Sequence, residues 1–307
     1  MNNPNSYIDI LNKVKRPSRY IGGEFNSTCD SGKTDTLKVL LAFPDTYEIG
    51  MSHLGLKILY YLLNSHERIS AQRVFAPARD YTALLLEKGL PLLSLESKTP
   101  INQFDVIGFS LQYELSYTNV LNILTLGNIP LRSCHRSDND PLIIAGGPCV
   151  FNPEPMADFI DAFIIGDAES ALIEVCEKII FAKNTDYSKN RILKLLAEIE
   201  GVYIPSLYNL KIEPGSNLKV IDKKSNAPYP VKRRIEFDLD KHGYPSCYPV
   251  PYCETVHDRI NIEVSRGCNS GCRFCQAGII YRPNRQRNPQ GLVDIIRQSL
   301  LNSGLDE

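Results

Sequence analysis

Cys268, Cys272 and Cys275 fall within eight residues, in the stretch SRGCNSGCRFCQAG. Thiolates at this density suit zinc or an iron–sulfur cluster. The spacing i, i+4, i+7 also matches one face of a helix, where cysteine packs as a small apolar residue. Gly267, Asn269, Ser270 and Gly271 disfavour a helix, so the segment reads as a loop. A structural zinc site needs four ligands, and the fourth would come from Cys247, Cys253 or His257. In an iron–sulfur cube, three thiolates leave one iron open for a further ligand.

The elements that position this loop follow from apolar patterning. Lys38–Asp45, Arg73–Pro77, Phe104–Leu111, Pro141–Pro148 and Asp161–Glu169 read as short buried strands. Helical patterns lie between or after them at Gly55–Asn64, Arg79–Gly89, Glu114–Gly127, Ala168–Phe181 and Asn190–Glu200. Continuous apolar strands alternating with helices predict a doubly wound, parallel five-stranded α/β sheet, covered on both faces. Its ligand crevice belongs outside the carboxyl ends of the strands. Residues 1–37 are polar and read as an N-terminal arm, and 206–258 as a β-rich, proline-rich connector. Arg259–Val264 reads as a strand entering the cysteine loop. A closing helix has Asn288 as N-cap, Pro289 at its first position and Gly304 as C-cap.

A net charge of −1 gives no electrostatic footprint for nucleic acid or an anionic membrane. No run approaches a membrane span or a signal-peptide core. The chain therefore reads as cytoplasmic, where its nine cysteines suggest metal or redox chemistry more than disulfides.

The pattern Cys268-x₃-Cys272-x₂-Cys275, with Phe274 before the last cysteine, resembles the signature of radical S-adenosylmethionine (radical SAM) enzymes. The resemblance implies that the three cysteines bind a 4Fe–4S cluster whose fourth iron takes S-adenosylmethionine. Reduction would release a 5′-deoxyadenosyl radical. Phe274 would shield the cluster near the adenine, and a reductase or flavodoxin-type donor would supply the electron. Arg273, Arg282, Arg285 and Arg287 would form a solvated face, neutralise the cluster or hold an anionic substrate.

Upstream, Asp45-x-Tyr47-x-x-Gly50 resembles the Asp-x-His-x-x-Gly element of cobalamin-binding domains, with tyrosine where that family has its axial histidine. Ser110, the pair Gly146-Gly147, and Gly166 in GDAE resemble later elements of the same domain. His53 is out of register and reads as a polar residue at a helix start. The resemblance implies a flavodoxin-like cobalamin-binding domain at 38–205. The start of a partial (β/α)₆ radical SAM barrel, its first βα unit, would occupy 259–307. Tyr47 cannot supply an imidazole. Cobalamin would then bind without a lower protein ligand, or the domain would serve as a scaffold. About thirty residues follow Cys275, so the expectation is an N-terminal portion of a longer protein, weakly held beyond residue 258. Three readings follow: a radical SAM enzyme, with methyl transfer if cobalamin is retained; a non-enzymatic cobalamin- or nucleotide-binding module with a structural metal; and an RNA-modifying radical SAM enzyme. The substrate is not legible.

Overall fold

A computed structural model describes residues 4–28, 36–213, 215–216, 219–223 and 227–305. Parts of the expected arm and connector lie outside these residues. The elements run α1 (Pro4–Leu11), β1 (Leu37–Phe43), α2 (Tyr47–Ser52), α3 (Leu54–Asn64), β2 (Ile69–Phe75), α4 (Arg79–Lys88), β3 (Val106–Ser110), α5 (Tyr117–Leu126), β4 (Leu142–Gly146), β5 (Ala162–Ile164), α6 (Glu169–Asn184), α7 (Lys189–Leu196) and β6 (Val202–Tyr203). A hairpin follows, β7 (Tyr208–Ile212) and β8 (Lys219–Lys223), then β9 (Ser265–Arg266), α8 (Ala277–Ile280), β10 (Arg285–Gln286) and α9 (Pro289–Ser303).

The sheet order is β2-β1-β3-β4-β5-β6. The first five strands are parallel, as expected, and β6 adds an antiparallel edge through Phe163–Tyr203 and Ile164–Val202. Side chains alternate across a strand, so each strand feeds two cores. Val39, Leu41 and Phe43 pack with α3 and α6, while Leu40 and Ala42 pack with α4 and α5. This double burial is why the strands are apolar at nearly every position. The direction of crossover reverses between β1 and β3, which makes that point the sheet's natural crevice.

Three expectations are corrected. Residues 4–11 are a helix, not a loose arm, and Ile10 is buried in the second core. The second strand begins at Ile69, four residues before the expected start. Arg259–Val264 forms no ladder, and only Ser265–Arg266 pairs, with Arg285–Gln286. With no adjacent strand, residues 259–264 are held by side chains: Tyr244 Oη donates to the Asn261 carbonyl (3.1 Å) and accepts from the Glu263 N–H (2.9 Å). The closing helix keeps its caps, with Asn288 accepting from the Gln290 N–H at 2.9 Å and Gly304 left-handed at φ 72°.

On outer strand β2 a buried guanidinium ties three segments together. Arg73 Nη2 lies 3.1 Å from Glu24 Oε2, and its Nε lies 2.6 Å from Glu96 Oε1. Its own N–H binds Glu96 Oε2 (2.7 Å), and its guanidinium stacks over the Tyr60 ring at 4.9 Å. Removing the cation strands two buried carboxylates. Arg73→Met is therefore expected to cost about 3–5 kcal/mol of stability, read from urea unfolding midpoints. A midpoint equal to wild type would contradict this.

Candidate functional site

A cleft of about 410 Å³ opens at the carboxyl ends of β3, β4 and β5 and runs down the sheet face beneath α3 and α6. Its walls are apolar, with Val39, Leu41, Ile58, Ile144, Ile164 and Leu172. Its mouth carries Ser110, Gln112, Gly146, Gly147 and Gly166. Gly146 lies open to this space: an added Cβ would find its nearest neighbour 3.9 Å away. Gly147 and Gly166 are glycine for internal reasons. Both have left-handed backbone (φ 105° and 109°), and a Cβ would strike the Leu111 carbonyl at 2.5 Å or the Arg234 carbonyl at 2.1 Å.

The candidate cofactor residues thus divide. Ser110, Gly146, Gly147 and Gly166 share the cleft, whereas Asp45, Tyr47 and Gly50 do not line it. Asp45 Oδ2 accepts from Tyr113 Oη at 2.7 Å. Tyr47 is buried, its ring edge-on to Phe75 and its hydroxyl donating to Glu24 at 3.0 Å. Burial, then the Glu24 carboxylate, push its pKa up, so it stays a neutral phenol turned away from the cleft. Gly50 makes room for Phe75, whose ring an added Cβ would meet at 2.2 Å.

His53 does line the cleft. It caps α3 as the sequence suggested, Nδ1 accepting from the Leu56 N–H at 3.1 Å. Burial lowers its pKa against the opposing bond with Gln112. Its Nδ1 lone pair is thus taken by the backbone of α3. Gly55 leaves space for this ring, since a Cβ there would lie 2.8 Å from His53 Cε1.

The cysteine loop starts on the cleft wall. Ser265, Arg266 and Gly267 line the cleft and lead directly into Cys268. Gly267 is left-handed (φ 94°), and a Cβ would strike the Tyr281 and Pro283 carbonyls at 2.4 Å. Arg266 binds Asp167 Oδ1 at 3.0 Å, Glu169 Oε1 at 2.5 Å and Glu263 Oε1 at 2.8 Å. The carboxylates of GDAE therefore hold the loop's root against the end of β5. Arg285 adds a bond to Asp167 and one to the Glu236 carbonyl (2.8 Å), and Arg287 binds Glu263 Oε2 at 3.0 Å. Both arginines are buried and taken up by protein groups, so neither forms a solvated face or a free anion site. Sequence reading missed Arg266 and its acidic partners because the partners lie up to 99 residues away.

Beyond this root the loop is open. Phe274 is 92% exposed. Cys268 Sγ accepts from the Ser270 N–H at 3.4 Å; Ser270, and more weakly Arg282, hold its thiol below the ordinary cysteine range. Cys272 and Cys275 are joined by a turn, the Cys275 N–H donating to the Cys272 carbonyl at 3.1 Å. Among the described residues no three His, Cys, Asp or Glu side chains are gathered closely enough to hold a metal: the three loop cysteines are not drawn together, and Cys247, Cys253 and His257 do not join them. No helix among them is long and apolar enough to cross a membrane.

Residues 55–205, which supply most of the sheet and the cleft, match the family model for the N-terminal region of radical SAM proteins. The match extends over just under half of the chain. The uncharacterized protein MJ0966 of Methanocaldococcus jannaschii is 26% identical over 263 residues, covering 85% of this chain. The chain spans about half (46%) of that relative's length. The structure of the cobalamin-dependent S-adenosylmethionine radical enzyme OxsB with aqua-cobalamin bound is similar at a TM-score of 0.50 and 15% identity, over 87% of this chain and 32% of that one. That likeness is one of fold. The radical S-adenosylmethionine methyltransferase TsrM of Kitasatospora setae gives 0.47 at 14% identity, over 88% of this chain and 46% of that one. The matched region carries a mostly parallel α/β sheet, with the cysteine loop rooted at the end of β5.

The Arg266 clamp has a defined pH response. Burial alone would raise the Asp167 pKa, but Arg266, the Glu236 N–H and Arg285 together lower it. A carboxylate depressed in the folded state contributes its full stability above its unfolded pKa, about 4, and loses it as pH falls through the lower folded value. Hydrogen exchange at Arg285–Arg287 should therefore stay slow at neutral pH and accelerate only below about pH 4. In Arg266→Gln the same amides are expected to exchange at least tenfold faster at pH 7, while β1 and β3 are unchanged. Equal protection in the variant would show that the clamp does not hold the loop.

Proposed function

We propose that this chain forms part of a radical SAM enzyme. Cys268, Cys272 and Cys275 would hold a 4Fe–4S cluster with one open iron for S-adenosylmethionine, and the adjoining cleft would hold cobalamin. The observation that carries this reading is the shared wall: Ser265–Gly267 both line the cleft and launch the cysteine loop. By type and number the donors suit a cluster: three thiols on one exposed, glycine-broken loop, which would be drawn together on iron. The cleft has room for a cofactor tail beside its glycines, where added Cβ atoms at Gly108 and Gly146 would make only ordinary contacts, at 3.6 and 3.9 Å. The chemistry supplied by the bound groups is reductive cleavage of the sulfonium of S-adenosylmethionine to a 5′-deoxyadenosyl radical, with cobalamin serving methyl transfer to carbon.

The protein groups have separable tasks. Arg266 and its carboxylates fix the loop root at the cleft. The apolar walls from α3 and α6 exclude water. Phe274, exposed beside Cys275, would cover the cluster. Tyr47 is turned to Glu24 and lies outside the cleft, so cobalamin here would lack a ligand from the position where the resembled family has its axial histidine. A reduced flavodoxin-type donor would supply the electron, and the substrate would come from outside the chain.

Anaerobic reconstitution followed by iron and sulfide analysis tests the loop. Wild type is expected to take up close to four of each per chain, and Cys268→Ala, Cys272→Ala or Cys275→Ala to lose most of it. Absorbance-monitored cobalamin binding tests the cleft. Gly146→Leu, which fills open space, should abolish binding with little loss of stability. Zinc in place of iron, or cobalamin binding indifferent to Gly146→Leu, would overturn the corresponding half of the proposal.

A further inference from the structure

A second and larger cavity, about 590 Å³, lies at the opposite edge of the sheet. It is bounded by the end of β2 at Val74–Ala76, by α1 and by the start of α4. It shares no lining residue with the cofactor cleft. Its volume is in the range of small-molecule sites, and its lining has the usual make-up: mostly apolar and aromatic, with a few polar groups.

Four tyrosines line it, and their hydroxyls are in different states. Tyr7 donates to the Pro91 carbonyl at 2.9 Å, and Tyr47 to Glu24 at 3.0 Å. Tyr20 accepts from the Ala78 N–H at 3.0 Å, which leaves its own proton to give. Tyr81 is only 5% exposed, yet its hydroxyl has no hydrogen-bond partner among the described residues. Nor is that oxygen among the buried polar atoms sealed off without a partner, so it can be reached from the cavity. Burial raises the Tyr81 pKa, keeping the phenol a donor at neutral pH. Open to the cavity, the hydroxyl is free to turn to an acceptor on a ligand.

The neighbouring groups narrow the chemistry. The Tyr20 and Tyr81 rings stack in parallel, centroids 3.9 Å apart and planes 8° from parallel, on the cavity wall. An aromatic wall of this kind packs well against a flat π system, offset or edge-on. Of the charged residues lining the cavity, Arg19 and Lys98 are cationic, and no carboxylate lines it. Arg19 is oriented by Glu48 at 2.8 Å, and Lys98 Nζ is anchored to the Tyr20 and Leu95 carbonyls at 2.8 Å each.

We propose that this cavity is a second ligand site, for a planar aromatic molecule carrying a carboxylate, with the Tyr81 hydroxyl as the buried donor to it. The site is independent of the cysteine loop and of cobalamin, so it stands or falls apart from the radical SAM reading.

The chain contains no tryptophan, so indole fluorescence excited beyond tyrosine absorption reports an indole probe alone. Iron-free, cobalamin-free chain would be titrated against indole-3-acetate, with 3-methylindole as the same ring lacking the carboxylate. The expected result is saturable binding of indole-3-acetate, with a blue shift and raised anisotropy, and at least tenfold weaker binding of 3-methylindole. Tyr81→Phe should weaken indole-3-acetate about tenfold without changing the melting temperature, and Ala76→Leu should fill the cavity and abolish binding. No saturable binding at millimolar probe, equal affinity for the two probes, or full affinity in Tyr81→Phe would overturn the proposal. If Ala76→Leu fails to fold, Tyr81→Phe and the probe pair still decide it.

Discussion

The position of the cysteine loop depends on one guanidinium. Arg266 meets Asp167, Glu169 and Glu263, and two further arginines, Arg285 and Arg287, complete the pairing of Asp167 and Glu263. Charges this far withdrawn from water are costly unless paired, so each arginine here depends on the carboxylates it meets. The backbone contributes little by comparison, since β9 and β10 share only two residue pairs. Ion pairing, not strand pairing, therefore sets where the loop sits. Asp167 and Glu169 lie at the carboxyl end of β5 and the start of α6, so the loop is delivered to the end of the sheet where the cleft opens.

The glycines around the cleft show how one residue type serves unlike ends. Gly147, Gly166 and Gly267 are required by left-handed backbone and by carbonyls that leave no room for a Cβ. Gly50 yields space to an aromatic ring. Gly146, by contrast, faces open volume and is the position whose bareness serves a ligand. The two cavities differ in the same spirit. The cleft is walled by aliphatic side chains and floored by glycine, whereas the β2-edge cavity is built from phenol rings and cations.

Much of the sheet was legible in the sequence because parallel strands buried on both faces leave an unmistakable apolar run. Strand β2 was the exception at its start. Gln72 is polar but buried, accommodated by the hydroxyl and N–H of Ser97, and Arg73 is neutralised by Glu24 and Glu96. Local hydropathy has no means of seeing partners that come from elsewhere in the chain. The same limit explains the candidate site. The three-cysteine spacing is a local signal and was read directly. Which way Tyr47 turns is decided by Glu24, 23 residues upstream, and the fate of Arg285 by Asp167, 118 residues away. The resemblance to cobalamin-binding elements grouped Asp45, Tyr47 and Gly50 with Ser110 and Gly146, whereas in three dimensions only the latter two line the cleft.

The central claim is that the three cysteines make a cluster site with one iron open to S-adenosylmethionine. Electron paramagnetic resonance tests it most directly, on chain reconstituted anaerobically with iron and sulfide and reduced with dithionite. The account predicts a signal from a reduced 4Fe–4S cluster that changes shape when S-adenosylmethionine is added. A cluster signal unaltered by S-adenosylmethionine, or no cluster signal with zinc bound instead, would contradict it.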